Sequence, residues 1–110
     1  MTGNEYQKLA SRTIPEYFSC HEKEFHALHG MCGEIGELQS IYQKLYQVHA
    51  WEDVHAKKEL GDLLWFIAEY CTAFNWNLED IMQLNIDKLK NRYPNGFDVE
   101  HSLHRKEGDI

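Results

Sequence analysis

Residues 59–74, ELGDLLWFIAEYCTAF, decide the fold that we expect for this chain. Apolar side chains recur in this segment every three or four residues, which is the spacing of one buried helical face. They are Leu60, Leu63, Leu64, Ile67, Cys71 and Phe74. Extended outward from this face, the pattern predicts a helix over residues 52–74 that is ended by Asn75 and Asn77.

The segment before it has the same spacing and predicts a partner helix over residues 21–48. Its apolar positions are Leu28, Cys32, Ile35, Leu38, Tyr42 and Leu45. Because only a short turn around Ala50 separates the two helices, they should pair as an antiparallel hairpin. No segment sustains the alternation of a β-strand, so we predict an all-α fold.

Two shorter helices flank the predicted hairpin. One covers residues 4–12 with Asn4 as its candidate N-cap, and the other covers residues 78–92 and stops before a Pro-Asn-Gly turn. The length of 110 residues fits one domain, 1–110, in which the polar residues 98–110 should form a loosely ordered tail.

Composition and charge argue against several classes of function. The net charge of −7 disfavours binding to a nucleic acid polymer, which requires a basic surface. No apolar run approaches the roughly 20 residues of a membrane span, and residues 1–10 lack the basic and apolar regions of a signal peptide. Three cysteines, an odd number, indicate reduced thiols and a cytoplasmic location.

The apolar run over residues 63–67 bears on assembly, because it surrounds its helix on every side. Such a helix requires burial all round, and a chain this small can hardly provide it. We therefore expect a homo-oligomer in which the hairpin completes a four-helix-type bundle. The alternative is that the two flanking helices cover the far side.

Two acidic pairs, Glu34 with Glu37 and Glu59 with Asp62, lie on the paired helices. A spacing of three residues points both members of a pair out of one helix face, and each pair lies along or beside an apolar stripe. At a rise of about 1.5 Å per residue, the pairs differ in height by roughly one turn, so the four carboxylates could converge.

Converging carboxylates would repel one another without a cation, and Mg²⁺ is a hard cation that prefers carboxylate oxygens. The pattern therefore favours a Mg²⁺ site at which substrate phosphates could replace bound waters. Acidic residues on helices are also common as solvated surface groups, and spacing alone leaves both interpretations open.

The motif over residues 33–38, GEIGEL, followed by ELGD over 59–62, resembles the signature of the MazG-like nucleoside triphosphate pyrophosphohydrolases, within the all-α NTP pyrophosphatase superfamily. The resemblance extends to NIDKL over 85–89 and RYPNGF over 92–97, and it covers most of residues 5–106. It implies hydrolysis of an NTP or dNTP to NMP and pyrophosphate, a role in nucleotide house-cleaning, and assembly as dimers or tetramers.

By position, the resemblance implies four ligands for Mg²⁺, for which Mn²⁺ could substitute: Glu34, Glu37, Glu59 and Asp62. Either Glu34 or Glu37 could be the general base that activates the attacking water. The residues implied to bind substrate phosphates are Asn85, Lys88, Lys44 and Arg92. Aromatic residues that could stack on the base are Trp51, Trp65, Phe66 and Trp76.

Three other hypotheses stay open from the sequence. The chain could be a non-catalytic helical module for dimerisation and interaction, which would need no metal. It could hold a transition metal at His21, His26 and His29, although no cysteine or acid completes a zinc set there. Within the superfamily, it could be specialised for dUTP, dCTP or phosphoribosyl-ATP.

Overall fold

The computed structural model describes all 110 residues and contains five α-helices and no β-strand. The helices are α1 (Gly3–Ser11), α2 (Cys20–Leu45), α3 (Asp53–Ala73), α4 (Leu78–Arg92) and α5 (Val99–Leu103). The all-α class is thereby confirmed, and the four predicted helices agree with α1 to α4 to within one turn. None of the five helices has the length and hydropathy needed to cross a membrane.

Local capping explains where the first two helices begin. The Ser19 hydroxyl accepts the backbone N–H of Glu22 and the Glu22 carboxylate accepts that of Ser19, both at 3.1 Å, so a capping box starts α2. The cap of α1 is Thr2, whose hydroxyl accepts the N–H of Glu5 at 3.1 Å. The predicted cap Asn4 was wrong, because Asn4 lies inside the first turn of α1.

Asn4 instead helps α1 to hold the start of α4. Its side-chain oxygen accepts the backbone N–H of Glu79 at 3.2 Å, and the Gln7 side-chain oxygen accepts that of Leu78 at 2.7 Å. The Gln7 amide also donates to the Trp76 carbonyl at 2.8 Å. Since Asn77 provides no side-chain cap, α1 supplies the acceptors that the first turn of α4 requires.

The hairpin of α2 and α3 forms the main packing interface of the chain. Near the end of the hairpin opposite the turn, Glu69 is only 1% exposed. Its two carboxylate oxygens lie 2.8 and 2.9 Å from Nδ1 of His26. Burial raises the pKa of Glu69, although the hydrogen bond to His26 acts in the opposite direction. One turn further along α2, Gly30 lies against the ring of Phe66.

Residues 98–110 contain a helix that we did not predict. Asp98 caps α5 by accepting the backbone N–H of His101 at 2.7 Å, and Asp109 in the following segment pairs with Arg92 on α4.

Among the first three helices, only α1 makes a substantial packing contact with α4, since α4 makes few or none with α2 and α3. The flanking helices therefore do not jointly cover the far side of the hairpin.

Many apolar side chains remain open to solvent in the single chain. Only 10 of 110 residues are buried, while Leu64 on α3 is 42% exposed and Leu84 on α4 is 69% exposed. The radius of gyration is 17.4 Å, whereas a compact domain of this length has about 13 Å. The expected bundle with a second copy stays a prediction.

We predict that Gly30→Ala destabilises the protein by about 1–3 kcal/mol, because the added methyl group would overlap the Phe66 ring and force the two helices apart. The matched control is Gly36→Ala on the same helix, where nothing lies within 4 Å of the added carbon. That change should stabilise the helix by about 0.5–1 kcal/mol. Urea unfolding at one fixed protein concentration measures both, and equal effects would contradict the close approach at Gly30.

Candidate metal centre

The hairpin brings three acidic side chains together from its two helices. Glu34 of α2 and Glu59 and Asp62 of α3 each offer one carboxylate oxygen, and these oxygens lie within 4.8 Å of one another. The three residues share a level on the hairpin because α2 and α3 run antiparallel on either side of a short turn. No other group of three or more His, Cys, Asp or Glu side chains in the chain is so arranged.

The surroundings offer these carboxylates little compensating charge, apart from His55, whose Nε2 lies 3.1 Å from Oε1 of Glu59. Oε2 of Glu34 is buried and has no hydrogen-bond partner. No lysine or arginine forms a salt bridge with any of the three carboxylates. A buried carboxylate oxygen without a donor is unfavourable, so the cluster requires a proton or a cation.

The pKa of Glu34 responds to this crowding and is raised to about 7. The largest cause is a hydrogen bond shared with the Glu59 side chain, which the protonated acid can make. Burial comes next, followed by repulsion from Glu59, Asp62 and Glu37. Without metal, a proton shared between Glu34 and Glu59 would therefore relieve part of this repulsion.

Glu37, the fourth predicted ligand, lies apart from the three-carboxylate group. Glu37 is exposed on α2, one turn beyond Glu34. Its negative charge is the smallest of the causes that raise the pKa of Glu34. The structure thus brings together three of the four predicted ligands and leaves Glu37 on the solvent side.

The donor set fits a hard divalent cation. Carboxylate oxygens are the ligands that Mg²⁺ and Mn²⁺ accept, and three carboxylates bring oxygens together here, among them Glu34, whose buried Oε2 has no partner. The histidine alternative has no such support. His26 is engaged by Glu69, and the three residues His21, His26 and His29 form no group that could hold a metal.

Two residues near the cluster were not among the predicted site residues. Nε2 of His55 lies 3.1 Å from Oε1 of Glu59, and its Nδ1 lies 3.4 Å from Glu52, so His55 orients the Glu59 carboxylate. Tyr6 on α1 has its pKa raised, first by burial and then by the charge of Asp62. The i, i+4 spacing of His55 and Glu59 is a sequence signal that could have identified the first.

The predicted phosphate-binding residues fall into two places. Lys44 lines a small cleft of about 160 Å³ that His55 also lines, which puts it at the turn end of the hairpin. Asn85, Lys88 and Arg92 instead line a larger cavity of about 730 Å³ between α4 and the segment after α5. Because α4 packs mainly on α1, one chain does not unite these three residues with the carboxylates.

The aromatic residues considered for base stacking have partners within the chain. Trp51 packs against Tyr42 with ring centroids 5.3 Å apart, and Trp76 stacks on Phe74 at 4.7 Å. Trp65 and Phe66 both make edge contacts with the His26 ring. Their positions therefore do not single out one stacking surface.

A family model described as the MazG nucleotide pyrophosphohydrolase domain matches residues 24–97, which include all four acidic residues and most of the 110-residue chain. The chain belongs to this MazG family. Membership makes nucleotide pyrophosphohydrolase activity the general function of the domain. No curated protein and no solved structure matches the chain.

We predict that Mg²⁺ stabilises this MazG domain more strongly at about pH 8 than at about pH 6. Since the pKa of Glu34 is raised from 4.5 to about 7, its contribution to stability is full below pH 4.5 and is lost as the pH rises through about 7. The metal replaces the proton, so its affinity should increase about tenfold across this range. Thermal melting with and without Mg²⁺ at both pH values measures the effect.

The variant Glu34→Gln should lose both the pH dependence and the stabilisation by Mg²⁺. Glu100→Gln, on the exposed face of α5, is the matched control and should retain both. A Mg²⁺ effect that persists in Glu34→Gln would mean that Glu34 is not a ligand, and one that is the same at both pH values in the wild type would mean that its pKa is not raised.

Proposed function

We propose that this MazG domain is a Mg²⁺-dependent nucleoside triphosphate pyrophosphohydrolase that converts an NTP or dNTP and water to NMP and pyrophosphate. The observation that carries the proposal is that Glu34, Glu59 and Asp62 each bring one carboxylate oxygen to within 4.8 Å of the others, and that Oε2 of Glu34 is buried without a hydrogen-bond partner. A cluster that needs positive charge suits an enzyme whose anionic substrate arrives with a cation.

In this proposal Glu34, Glu59 and Asp62 hold Mg²⁺, or Mn²⁺ in its place, and Glu37 on the solvent side is either the fourth ligand or the general base. The bound cation would neutralise triphosphate charge and lower the pKa of a coordinated water. His55 keeps the Glu59 carboxylate in its orientation through the contact at 3.1 Å.

Glu37 is the better candidate for the general base, because its carboxylate is exposed whereas Glu34 has a buried oxygen. It would accept a proton from the attacking water as the new P–O bond forms and the α–β anhydride bond breaks. The electron pair of the broken bond leaves with pyrophosphate, and the cationic or amide side chains of Lys44, Asn85, Lys88 and Arg92 would stabilise that charge.

A homo-oligomer is part of the proposal, as a dimer or a tetramer with a four-helix-type bundle. It is supported by the exposed apolar residues of α3 and α4 and by the extended shape of the single chain. It would also give Asn85, Lys88 and Arg92 a route to the carboxylates of a second copy. Free thiols at all three cysteines fit the proposed cytoplasmic location. A house-cleaning role, the removal of unwanted nucleotides, is the remaining part of the proposal.

We expect purified protein with Mg²⁺ to release pyrophosphate and a monophosphate from at least one member of a panel of canonical nucleoside triphosphates, dUTP, dCTP and phosphoribosyl-ATP. Glu37→Gln and Asp62→Asn should each lower kcat by a factor of about 100 or more while the circular dichroism spectrum stays unchanged. The control Glu100→Gln should retain full activity.

The panel also separates this function from its alternatives. Strong preference for one of the specialised substrates would narrow the activity within the superfamily. If no substrate is cleaved and Mg²⁺ leaves the melting temperature unchanged, the domain is a non-catalytic helical module.

We expect the mass in solution to be a multiple of 13.0 kDa, measured by light scattering after size-exclusion chromatography. Leu64→Glu should shift the protein to the monomer, because a charge on the exposed apolar face of α3 opposes burial against a second copy. Leu103→Glu on α5 changes an exposed leucine outside that face and should leave the mass unchanged. A folded wild-type monomer would contradict the oligomer.

A further inference from the structure

A polar contact crosses the interior of the hairpin outside the metal centre. Glu69 on α3 is 1% exposed, and its two carboxylate oxygens lie 2.8 and 2.9 Å from Nδ1 of His26 on α2. His26 is the only side chain that contacts Glu69 through a hydrogen bond or a salt bridge. The contact therefore joins the two helices of the hairpin at one defined point.

Three layers lead from this contact to the metal centre, each with one residue of α2 and one of α3: His26 with Glu69, Gly30 with Phe66, and Glu34 with Asp62. Successive members are three or four residues apart on each helix, which keeps them on one helix face. At a rise of about 1.5 Å per residue, the contact lies about 10–12 Å from the metal centre. A displacement of α2 against α3 at the contact would therefore reach the carboxylates through a single intervening layer.

A buried charged contact is not the most stable way to join two helices. Burial raises the pKa of Glu69, and the hydrogen bond to His26 opposes this effect only in part. Apolar side chains of similar volume often stabilise a protein equally well or better. The polar contact adds direction, because a hydrogen bond limits how far one helix can slide or rotate against the other.

The imidazole ring of His26 is itself held in place. It makes edge contacts with the rings of Phe18, Trp65 and Phe66, at centroid distances of 5.1, 6.2 and 5.5 Å. Phe18 belongs to the segment that leads into α2, whereas the other two rings belong to α3. Because aromatic rings contact it from two parts of the chain, the imidazole keeps Nδ1 directed at Glu69.

We propose that His26 and Glu69 are a positioning pair for the metal centre. Their directional contact fixes the placement of α2 against α3, and this placement keeps the three carboxylate oxygens of the cluster within 4.8 Å of one another. The cluster requires such a contact because its own charges repel and push the two helices apart. The part of the role that concerns Mg²⁺ rests on the proposed function, whereas the effect on the metal-free hairpin does not.

The central test is Glu69→Met, which retains the volume of the side chain and removes the hydrogen-bond acceptor. The variant should stay folded with a melting temperature in EDTA close to that of the wild type. It should nevertheless bind Mg²⁺ about fivefold more weakly, as measured by calorimetry. Glu69→Gln retains an oxygen that can accept the N–H of His26, so its Mg²⁺ affinity should stay within about twofold of the wild type.

A double variant tests whether the two residues act as a pair. His26→Leu should weaken Mg²⁺ binding by the same factor as Glu69→Met, and the double variant should be no weaker than either, because all three lose one contact. Independent effects would multiply to about 25-fold and would overturn the proposal. The matched control is Thr72→Val, which removes a hydroxyl of α3 that accepts from Gln7 of α1 and leaves α2 untouched. It should bind Mg²⁺ like the wild type.

A second readout requires no metal. In EDTA, amide hydrogen exchange around the three carboxylates should be several-fold faster in both single variants than in the wild type, and unaltered in the Thr72→Val control. If the wild type binds no Mg²⁺, the metal centre of the proposed function fails, while the exchange rates still decide the positioning role. Unaltered exchange near the carboxylates, equal Mg²⁺ losses in Glu69→Gln and Glu69→Met, or wild-type affinity in Glu69→Met would overturn it.

Discussion

The repulsion among Glu34, Glu59 and Asp62 is the constraint to which the rest of the hairpin is fitted. Three carboxylate oxygens within 4.8 Å are unfavourable in a partly buried cleft, so other contacts must hold α2 and α3 together. The absence of a side chain at Gly30 lets the Phe66 ring pack closely, and the buried Glu69 pairs with His26 further along. The packing at these two places offsets the repulsion among the three carboxylates.

The acidic cluster and the main group of basic side chains lie in different parts of the molecule. The acidic cluster belongs to the hairpin, whereas Lys88, Arg92 and Arg105 lie where α4 meets the segment after α5. Under the proposed function, a polyphosphate with several charges along its length would meet the acids that hold the cation and the bases that bind phosphate on different elements. The same separation is why the proposed function includes a second copy of the chain, which could bring both groups to one site.

Much of the hairpin could be predicted, because its apolar spacing and acidic pairs are local patterns along one helix. The i, i+3 spacing found Glu34, Glu59 and Asp62, but it could not tell that Glu37 stays on the solvent side, since that depends on how the helices are rotated. Contacts between residues that are distant in the sequence could not be predicted from these local patterns. Asn4 was taken for a cap of its own helix and serves α4, and Asp109 pairs with an arginine 17 residues away.

The amide of Gln7 has a mechanical consequence. It accepts the N–H of Leu78 and donates to the carbonyl of Trp76, so one side chain joins α1 to the corner between α3 and α4. Because α4 has little direct packing on the hairpin, its position relative to α3 depends on this corner and on α1. Loss of the Gln7 amide would therefore free α4 from the hairpin at the point where the chain turns between them.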